Sequence, residues 1–340
     1  MAAQRLVSVI VPCRNERNHI LAFCDAVAQQ KLPEGVELEV WIADGMSDDG
    51  TRELLTERAA VDTRLHVVDN PGRIVSTGLN SCLRHARGDV IVRMDVHTVY
   101  APDYVAECIA ALDRTGADNV GGPWKAEGVN PMQRAVAAAF QSRLVSGGAR
   151  SRQLDYEGEA DTVYLGCWPR STFARFGEFD EQLVRNQDDE HNLRISLGGG
   201  RIWQSARIRS TYRPRSSLQQ VFRQYMQYGY WKPFVMRKHG QAAALRQLVP
   251  GAFVATVLFC FVFAILGSAY AARLGISLAI IYALFVSLAA VRATPELSLA
   301  PRVAAVVAAY HLGYGWGTLR GWLDVLLRGR PSPRFGVLTR

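Results

Sequence analysis

The sequence predicts an α/β fold: a mainly parallel sheet flanked by helices, followed by interfacial helices and a C-terminal α-helical membrane region. Three observations predict it. Apolar strand-like runs alternate with helix-patterned segments through the first hundred residues. Several of those runs end in clusters of polar residues. Beyond residue 248 charge almost disappears over two long stretches.

Residues 6–11 (LVSVIV) are continuously apolar up to Pro12, the pattern of a strand buried on both faces. Residues 19–30 read as a helix. A second strand follows at residues 38–43 (LEVWIA), then the connection DGMSDDGT and a helix over residues 51–59. A third strand at 65–68, a helix at 74–85 and a fourth strand at 89–94 complete the run. This spacing is that of right-handed β-α-β units, which assemble into open parallel sheets. Ligands bind such sheets beyond the carboxyl ends of the strands. Pro12, Asn15, Glu16, Asp44 and the triplet Asp95-Val96-His97 all stand at such ends. If the fourth strand continues through VIVRMDVHTVY, alternation puts Asp95 and His97 on the same side of the chain.

The 340 residues suffice for two ordinary domains, or for one domain and a membrane part. No G-x-G-x-x-G follows the first strand and no P-loop occurs, which excludes the usual dinucleotide and nucleoside-triphosphate folds. The six cysteines include no C-x-x-C pair and read as reduced packing thiols, neither a zinc site nor a disulfide framework. Net charge is +8, yet no acidic residue occurs between Glu190 and Glu296, while arginine and lysine recur throughout. A basic belt ahead of an apolar stretch suits anionic lipid headgroups on a cytoplasmic face. No nucleic-acid motif accompanies it, so nucleic acid is not an expected partner. The opening MAAQRLVSVIVP runs into a strand pattern without a signal peptide, which predicts a soluble part on the cytoplasmic side.

Residues 249–272 and 274–291 carry no charge, and each is long enough or nearly so to cross a hydrocarbon core. A third apolar segment, residues 303–319, contains Gly313, Gly315, Gly317 and His311. Two full spans return the chain to the side where Arg292 and the arginines after Leu319 prefer to be, so the third segment is expected to be re-entrant or interfacial. The expected division is a cytosolic domain over 1–215, an amphipathic region over 216–247 and a multi-pass membrane region over 248–340. In SLQQVFRQYMQYGYW, Leu218, Val221, Phe222 and Tyr225 share one helix side, opposite Gln219, Gln220, Arg223, Gln224 and Gln227. Such a helix either lies in the membrane interface or packs against the rest of the protein.

Four segments in order, SVIVPCRNE, IADGMSDDGT, GDVIVRMDVH and RNQDDEHNLRI, resemble glycosyltransferase family 2, which has the GT-A fold. Within it they resemble the ExoA-like, succinoglycan-type membrane branch, over roughly residues 5–240. The resemblance implies an inverting, metal-dependent transferase. It would move a sugar from a UDP-sugar to a lipid-linked acceptor, such as a polyprenyl-diphosphate-linked glycan, at the cytoplasmic membrane face. The pathway implied is exopolysaccharide or cell-envelope glycan synthesis.

On that resemblance Pro12, Asn15, Glu16, Asp44, Arg73 and Asp95 bind the donor. Asp44 can accept from the N3–H of uracil and Glu16 from ribose hydroxyls. Gly45 and Met46 depart from the family's D-D-G pattern, and Asp48 and Asp49 suit the N-terminus of the next helix. A guanidinium at Arg73 suits the pyrophosphate, and a solvated loop arginine is the alternative. The family's D-x-D stands here as Asp95-x-His97, implying Mn2+ or Mg2+ with imidazole favouring the former. Such a cation cancels charge on the departing diphosphate. The family register places the catalytic base at Asp188, six residues before Arg194, with Gln187 in place of the usual Glu. Asp189 and Trp168 fall on the implied acceptor side. Trp168 either stacks on a sugar or packs in the core. Gln220 and Arg223 resemble the Q-x-x-R-W motif of processive synthases, with Gln224 replacing Trp. The departures at Gly45, His97 and Gln187 leave a non-catalytic nucleotide-sugar-binding module as an alternative. A processive polysaccharide synthase is a further one, disfavoured by the incomplete motif and the few spans.

Overall fold

A computed structural model describes residues 5–336. They fall into two compact units: one comprises the chain up to Lys125 with Gln153–Tyr212, the other Ala126–Arg152 with the chain from Arg213 onward. Residues 126–152 thus belong to the second unit.

The first unit is built on an eight-stranded sheet in the order β3-β2-β1-β4-β9-β6-β10-β8. Strands β1 (Arg5–Cys13), β2 (Val36–Asp44), β3 (Leu65–Asp69) and β4 (Val90–Arg93) are parallel. Between them run α1 (Ile20–Ala28), α2 (Thr51–Val61) and α3 (Val75–His85), as the alternating pattern predicts. After β5 (Thr98–Tyr100) and α4 (Tyr104–Thr115) comes β6 (Asn119–Gly122). The two-residue strand β7 (Lys125–Ala126) and helix α5 (Pro131–Gln141) precede the chain's return. The return strands are β8 (Gly158–Glu159), β9 (Tyr164–Pro169), β10 (Ile202–Gln204) and β11 (Ser210–Tyr212), with helices α6 (Arg170–Phe176) and α7 (Gln187–Leu197) between β9 and β10. Strand β9 runs antiparallel between β4 and β6, β10 runs parallel to β6, and β8 closes the edge antiparallel.

Alternation along the strands sends Ile10, Ala43 and Ile91 to one face, where Leu79, Leu83, Trp168, Phe179 and Ile195 complete a buried core. The sheet order reverses beside β1: β2 and β3 lie on one side, β4 on the other. That reversal opens a crevice at the carboxyl edge. Pairing with β4 stops at Ile10↔Arg93, whereas β2 continues to Cys13↔Asp44. Pro12 therefore stands where β1 has lost its β4 neighbour, and its missing N–H removes no ladder bond on that side.

Strand β4 ends at Arg93, next to the expected end at Met94, and does not continue through His97. Val96 and His97 form a turn closed by Thr98 N–H to Asp95 C=O at 3.1 Å, before β5 begins. The strand alternation that would align Asp95 with His97 does not apply across this turn.

In the second unit, α8 (Leu218–His239), α9 (Val249–Ile265), α10 (Ala269–Ala293) and α11 (Ala300–Leu327) join α5. Gly313, Gly317 and Gly321 recur every fourth residue on α11. A β-carbon there would run into the carbonyl oxygens of Phe222, Met226 and Tyr230 on α8. Small residues at this period let two helix backbones touch. The apolar side of α8 thus packs on α11 and α5, through Val221 and Tyr225. The segment 303–319, expected to be re-entrant or interfacial, lies within one continuous 28-residue helix. The break between the first two apolar stretches falls at Gly267, in the left-handed region at φ 91°, and Ser268, whose hydroxyl caps α10 at Ala271 N–H. Arg273 lies inside α10. Backbone geometry, not the charge, sets the boundary. Two helical stretches, Leu245–Ile265 and Ala269–Ala293, are long and apolar enough to cross a membrane. Phe261, Ile265, Tyr270 and Leu284 on them are exposed, a surface that suits lipid.

Candidate active site

The site starts from the loops after β1 and β2. Asn15, in the left-handed region at φ 53°, exchanges two hydrogen bonds with Asp48: Nδ2 donates to Oδ1 at 2.8 Å, and Asp48 N–H donates to Asn15 Oδ1 at 3.0 Å. Its backbone N–H donates to Ser47 Oγ at 2.8 Å. The Asn15 amide is thus committed to joining the two loops. Asp49 accepts from Thr51 N–H and Oγ1 and steadies the first turn of α2. Burial pushes its carboxyl up, but the bonds from Thr51 and Arg17 outweigh this and leave it below its ordinary range.

Asp44 is 2% exposed at the end of β2. Ser47 Oγ donates to it at 2.6 Å, and Arg52 lies at 3.4 Å while pairing with Asp69 at 2.8 Å. A carboxylate has about four lone-pair sites, so one short bond and several long ones leave room for another donor. Arg73 is exposed in the loop after β3, at φ 58°.

The turn after β4 meets the loop after β1. His97 Nδ1 lies 3.7 Å from Glu16 Oε1. Asp95 is gripped twice. The Tyr100 hydroxyl accepts from its backbone N–H at 2.6 Å and donates to its carbonyl at 3.1 Å. Burial, then the charge of Asp95, push the Tyr100 phenol well above its ordinary value, so it stays a donor. The Asp95 side chain accepts a bidentate fork from Arg93, Nε at 2.9 Å and Nη2 at 3.1 Å. The remaining nitrogen, Nη1, has no hydrogen-bond partner among the described residues and lies 3.9 Å from Asp188 Oδ2. Arg93 is 5% exposed. Burial opposes its charge, but Asp95 and Asp188 outweigh burial and hold its pKa above the ordinary arginine value. A buried donor left unsatisfied costs about 1–3 kcal/mol.

Asp188 arrives on the first turn of α7, after Asn186 in the left-handed region. The three adjacent acids go three ways, as helical geometry requires. Glu190 is fully buried and takes a fork from Arg194 at 3.0 and 2.8 Å. Arg194 also donates to the carbonyls of Phe176 and Glu178, tying α7 to the loop before it. Asp189 is half-buried beside Asp188. Asp188 is 41% exposed and faces Arg93. Two carboxylates 93 positions apart are thereby brought to one guanidinium.

Trp168 is 1% exposed and packs against Phe173, Phe179 and His191. That burial agrees with the packing reading of this residue. Gln220 and Arg223 lie on α8 of the second unit. Arg93, Tyr100, Ser47 and Arg52 escaped the sequence reading. For Arg93 the available signal was a charge inside an apolar strand, which is rarely left unpaired.

Among the described residues no three His, Cys, Asp or Glu side chains are gathered into a cation cage. Asp95 and His97 supply two donors from one turn, and Arg93 uses only part of the Asp95 lone pairs. A cation held by these two would have to take its other ligands from phosphate oxygens and water.

The "Glycosyl transferase family 2" model matches residues 8–169. The chain is 32% identical to the succinoglycan biosynthesis protein ExoA of Rhizobium meliloti, over 93% of this chain and 94% of that one. It is 25% identical to a dolichyl N-acetyl-α-D-glucosaminyl phosphate 3-β-D-2,3-diacetamido-2,3-dideoxy-β-D-glucuronosyltransferase of Methanococcus voltae, over 68% and 74% of the two chains. In fold it is similar to the mannosyltransferase PcManGT of Pyrobaculum calidifontis, solved with GDP-Man and Mn2+, at TM-score 0.60 and 20% identity over 95% and 88% of the chains. It is also similar in fold to S. aureus TarS 1-349 in complex with UDP-GlcNAc, at TM-score 0.51 and 17% identity over 95% and 92%. With nearly its whole length aligned to ExoA and its sheet built as in the GT-A enzymes, this chain belongs to glycosyltransferase family 2 and is a glycosyltransferase.

Proposed function

We propose that the protein is an inverting transferase that moves a sugar from a UDP-sugar to a lipid-linked acceptor at the cytoplasmic membrane face. The pathway is exopolysaccharide or cell-envelope glycan synthesis, in keeping with the likeness to a succinoglycan biosynthesis protein. The observation that carries this reading is the meeting of Asp188 and Asp95 at Arg93, on the edge where β1 and β2 present Glu16 and Asp44.

Asp188 is the general base. It is partly exposed, and it accepts the proton of an acceptor hydroxyl as that oxygen bonds to the anomeric carbon. The bond from that carbon to the diphosphate breaks on the opposite side, which inverts the centre. Asp44 receives the uracil N3–H, Glu16 the ribose hydroxyls, and Arg73 the pyrophosphate. A divalent cation, Mn2+ or Mg2+, would be held by Asp95 and His97 and supplies positive charge to the leaving diphosphate. Pro12 and Asn15 shape the loop that carries Glu16. Asp189 serves the acceptor side. The basic residues ahead of the two apolar helices hold a polyprenyl diphosphate and anionic lipid.

The test uses the full chain in lipid nanodiscs with UDP-sugars, GDP-mannose, Mn2+ or Mg2+, and polyprenyl-diphosphate-linked acceptors. Mass spectrometry identifies the lipid product and NMR its anomeric configuration. The expected result is one UDP-sugar consumed, an inverted linkage, and loss of transfer in Asp188→Asn. Retention of configuration, a GDP-sugar donor, or full activity in Asp188→Asn each refutes the corresponding part.

A further inference from the structure

We propose that Arg93 is a positioning residue that sets the spacing and aim of Asp95 and Asp188. This role rests on the transferase reading above. Two nitrogens of its guanidinium are spent on Asp95, at 2.9 and 3.1 Å. The third, Nη1, is buried, has no hydrogen-bond partner among the described residues, and points to Asp188 Oδ2 at 3.9 Å. A gap of that size is about an ångström beyond a charge-assisted bond. The strand fixes where Arg93 starts, because its backbone is in register with Ile10 in the middle of the sheet. Tyr100 fixes where Asp95 stands by bonding both its N–H and its C=O. Asp188 comes from α7, outside the β4 ladder.

Arg93 thus works as a rigid spacer. It ties the acid nearest the leaving group to the acid nearest the acceptor, from below the crevice floor. A lysine keeps the charge but cannot hold one carboxylate with two parallel bonds and offer a third donor to another. A methionine fills similar volume and removes both functions. Misplacement of a reacting group by about 1 Å costs on the order of 100-fold in turnover.

Full-length wild type, Arg93→Met and Arg93→Lys in nanodiscs are compared in four measurements: thermal unfolding, UDP affinity with Mn2+ by calorimetry, donor KM, and kcat for transfer. In Arg93→Met the expected kcat falls about 100-fold, a larger change than any in UDP affinity or donor KM, which shift only as far as Asp95 is displaced. Arg93→Lys is expected to lose at least about tenfold in kcat, again more than donor binding loses. A folded variant that keeps kcat within about threefold, or whose whole loss is accounted for by weaker donor binding, overturns the proposal. If Arg93→Met does not fold, Arg93→Lys decides by the same criterion. If neither folds, Arg93 is a structural residue and the proposal falls. Wild type without any transfer overturns both this role and the transferase reading, whereas an active wild type with indifferent variants overturns this role alone.

Discussion

Adjacent acids on α7 divide chemistry from stability, and a pair of isosteric substitutions separates them. Glu190 is fully buried and bound by two short bonds to Arg194, itself 23% exposed. Glu190→Gln removes a charge, loses one charge-assisted bond worth about 1.5–3 kcal/mol, and turns an amide donor toward the guanidinium. Breaking a wholly buried pair costs about 3–5 kcal/mol. Arg194 keeps some solvent and two carbonyl partners, which lowers the figure, so we expect roughly 3 kcal/mol. At about 2–4 °C per kcal/mol for a unit of this size, the melting temperature falls by about 6–12 °C. Asp188 is 41% exposed and 3.9 Å from Arg93 Nη1, so Asp188→Asn is expected to leave the melting temperature within about 2 °C. It lowers kcat by about 100- to 10,000-fold, the usual range for a lost general base. Differential scanning fluorimetry and UDP release, run on both variants with intact UDP binding as control, give the comparison. The reverse pattern, a stable and inactive Glu190→Gln beside an active Asp188→Asn, refutes the assignment of the base.

Gly317→Leu forces the α8 and α11 backbones apart at the Met226 carbonyl. It is expected to destabilise the second unit by at least about 3 kcal/mol, because the obstacle is backbone rather than a movable side chain. Limited proteolysis of nanodisc-embedded protein, with faster cleavage in the variant, reports it. His97→Asp replaces the imidazole by an oxygen donor and is expected to shift the preference from Mn2+ toward Mg2+. Calorimetric titration of each ion in the presence of UDP reads the change. Burial depresses the His191 pKa from 6.5 to about 4, so the unfolded chain binds its proton more tightly. The corresponding stability is fully present above pH 6.5 and is lost as pH falls from there to about 4, amounting to roughly 3 kcal/mol. His191→Gln should flatten that part of the curve of melting temperature against pH.

Strands β1 to β4, the helices between them and the carboxyl-edge location of Glu16, Asp44 and Asp95 were legible in the sequence. Each of these follows from local periodicity and from the topology that periodicity allows. The two long apolar helices needed only composition and length. What lay beyond sequence was pairing between distant segments. That Arg93 forks onto Asp95 and reaches toward Asp188 depends on where α7 lies against β4. That Trp168 is core depends on Phe173, Phe179 and His191 closing over it. That α11 is one helix, laid backbone to backbone on α8, depends on glycines whose local preference is to break helices. Local pattern determined which residues stand at the strand ends, because side-chain direction repeats with the backbone. Only the tertiary structure decided which charges meet there. Electrostatic and packing energies depend on distances through space, and separation along the chain does not encode them.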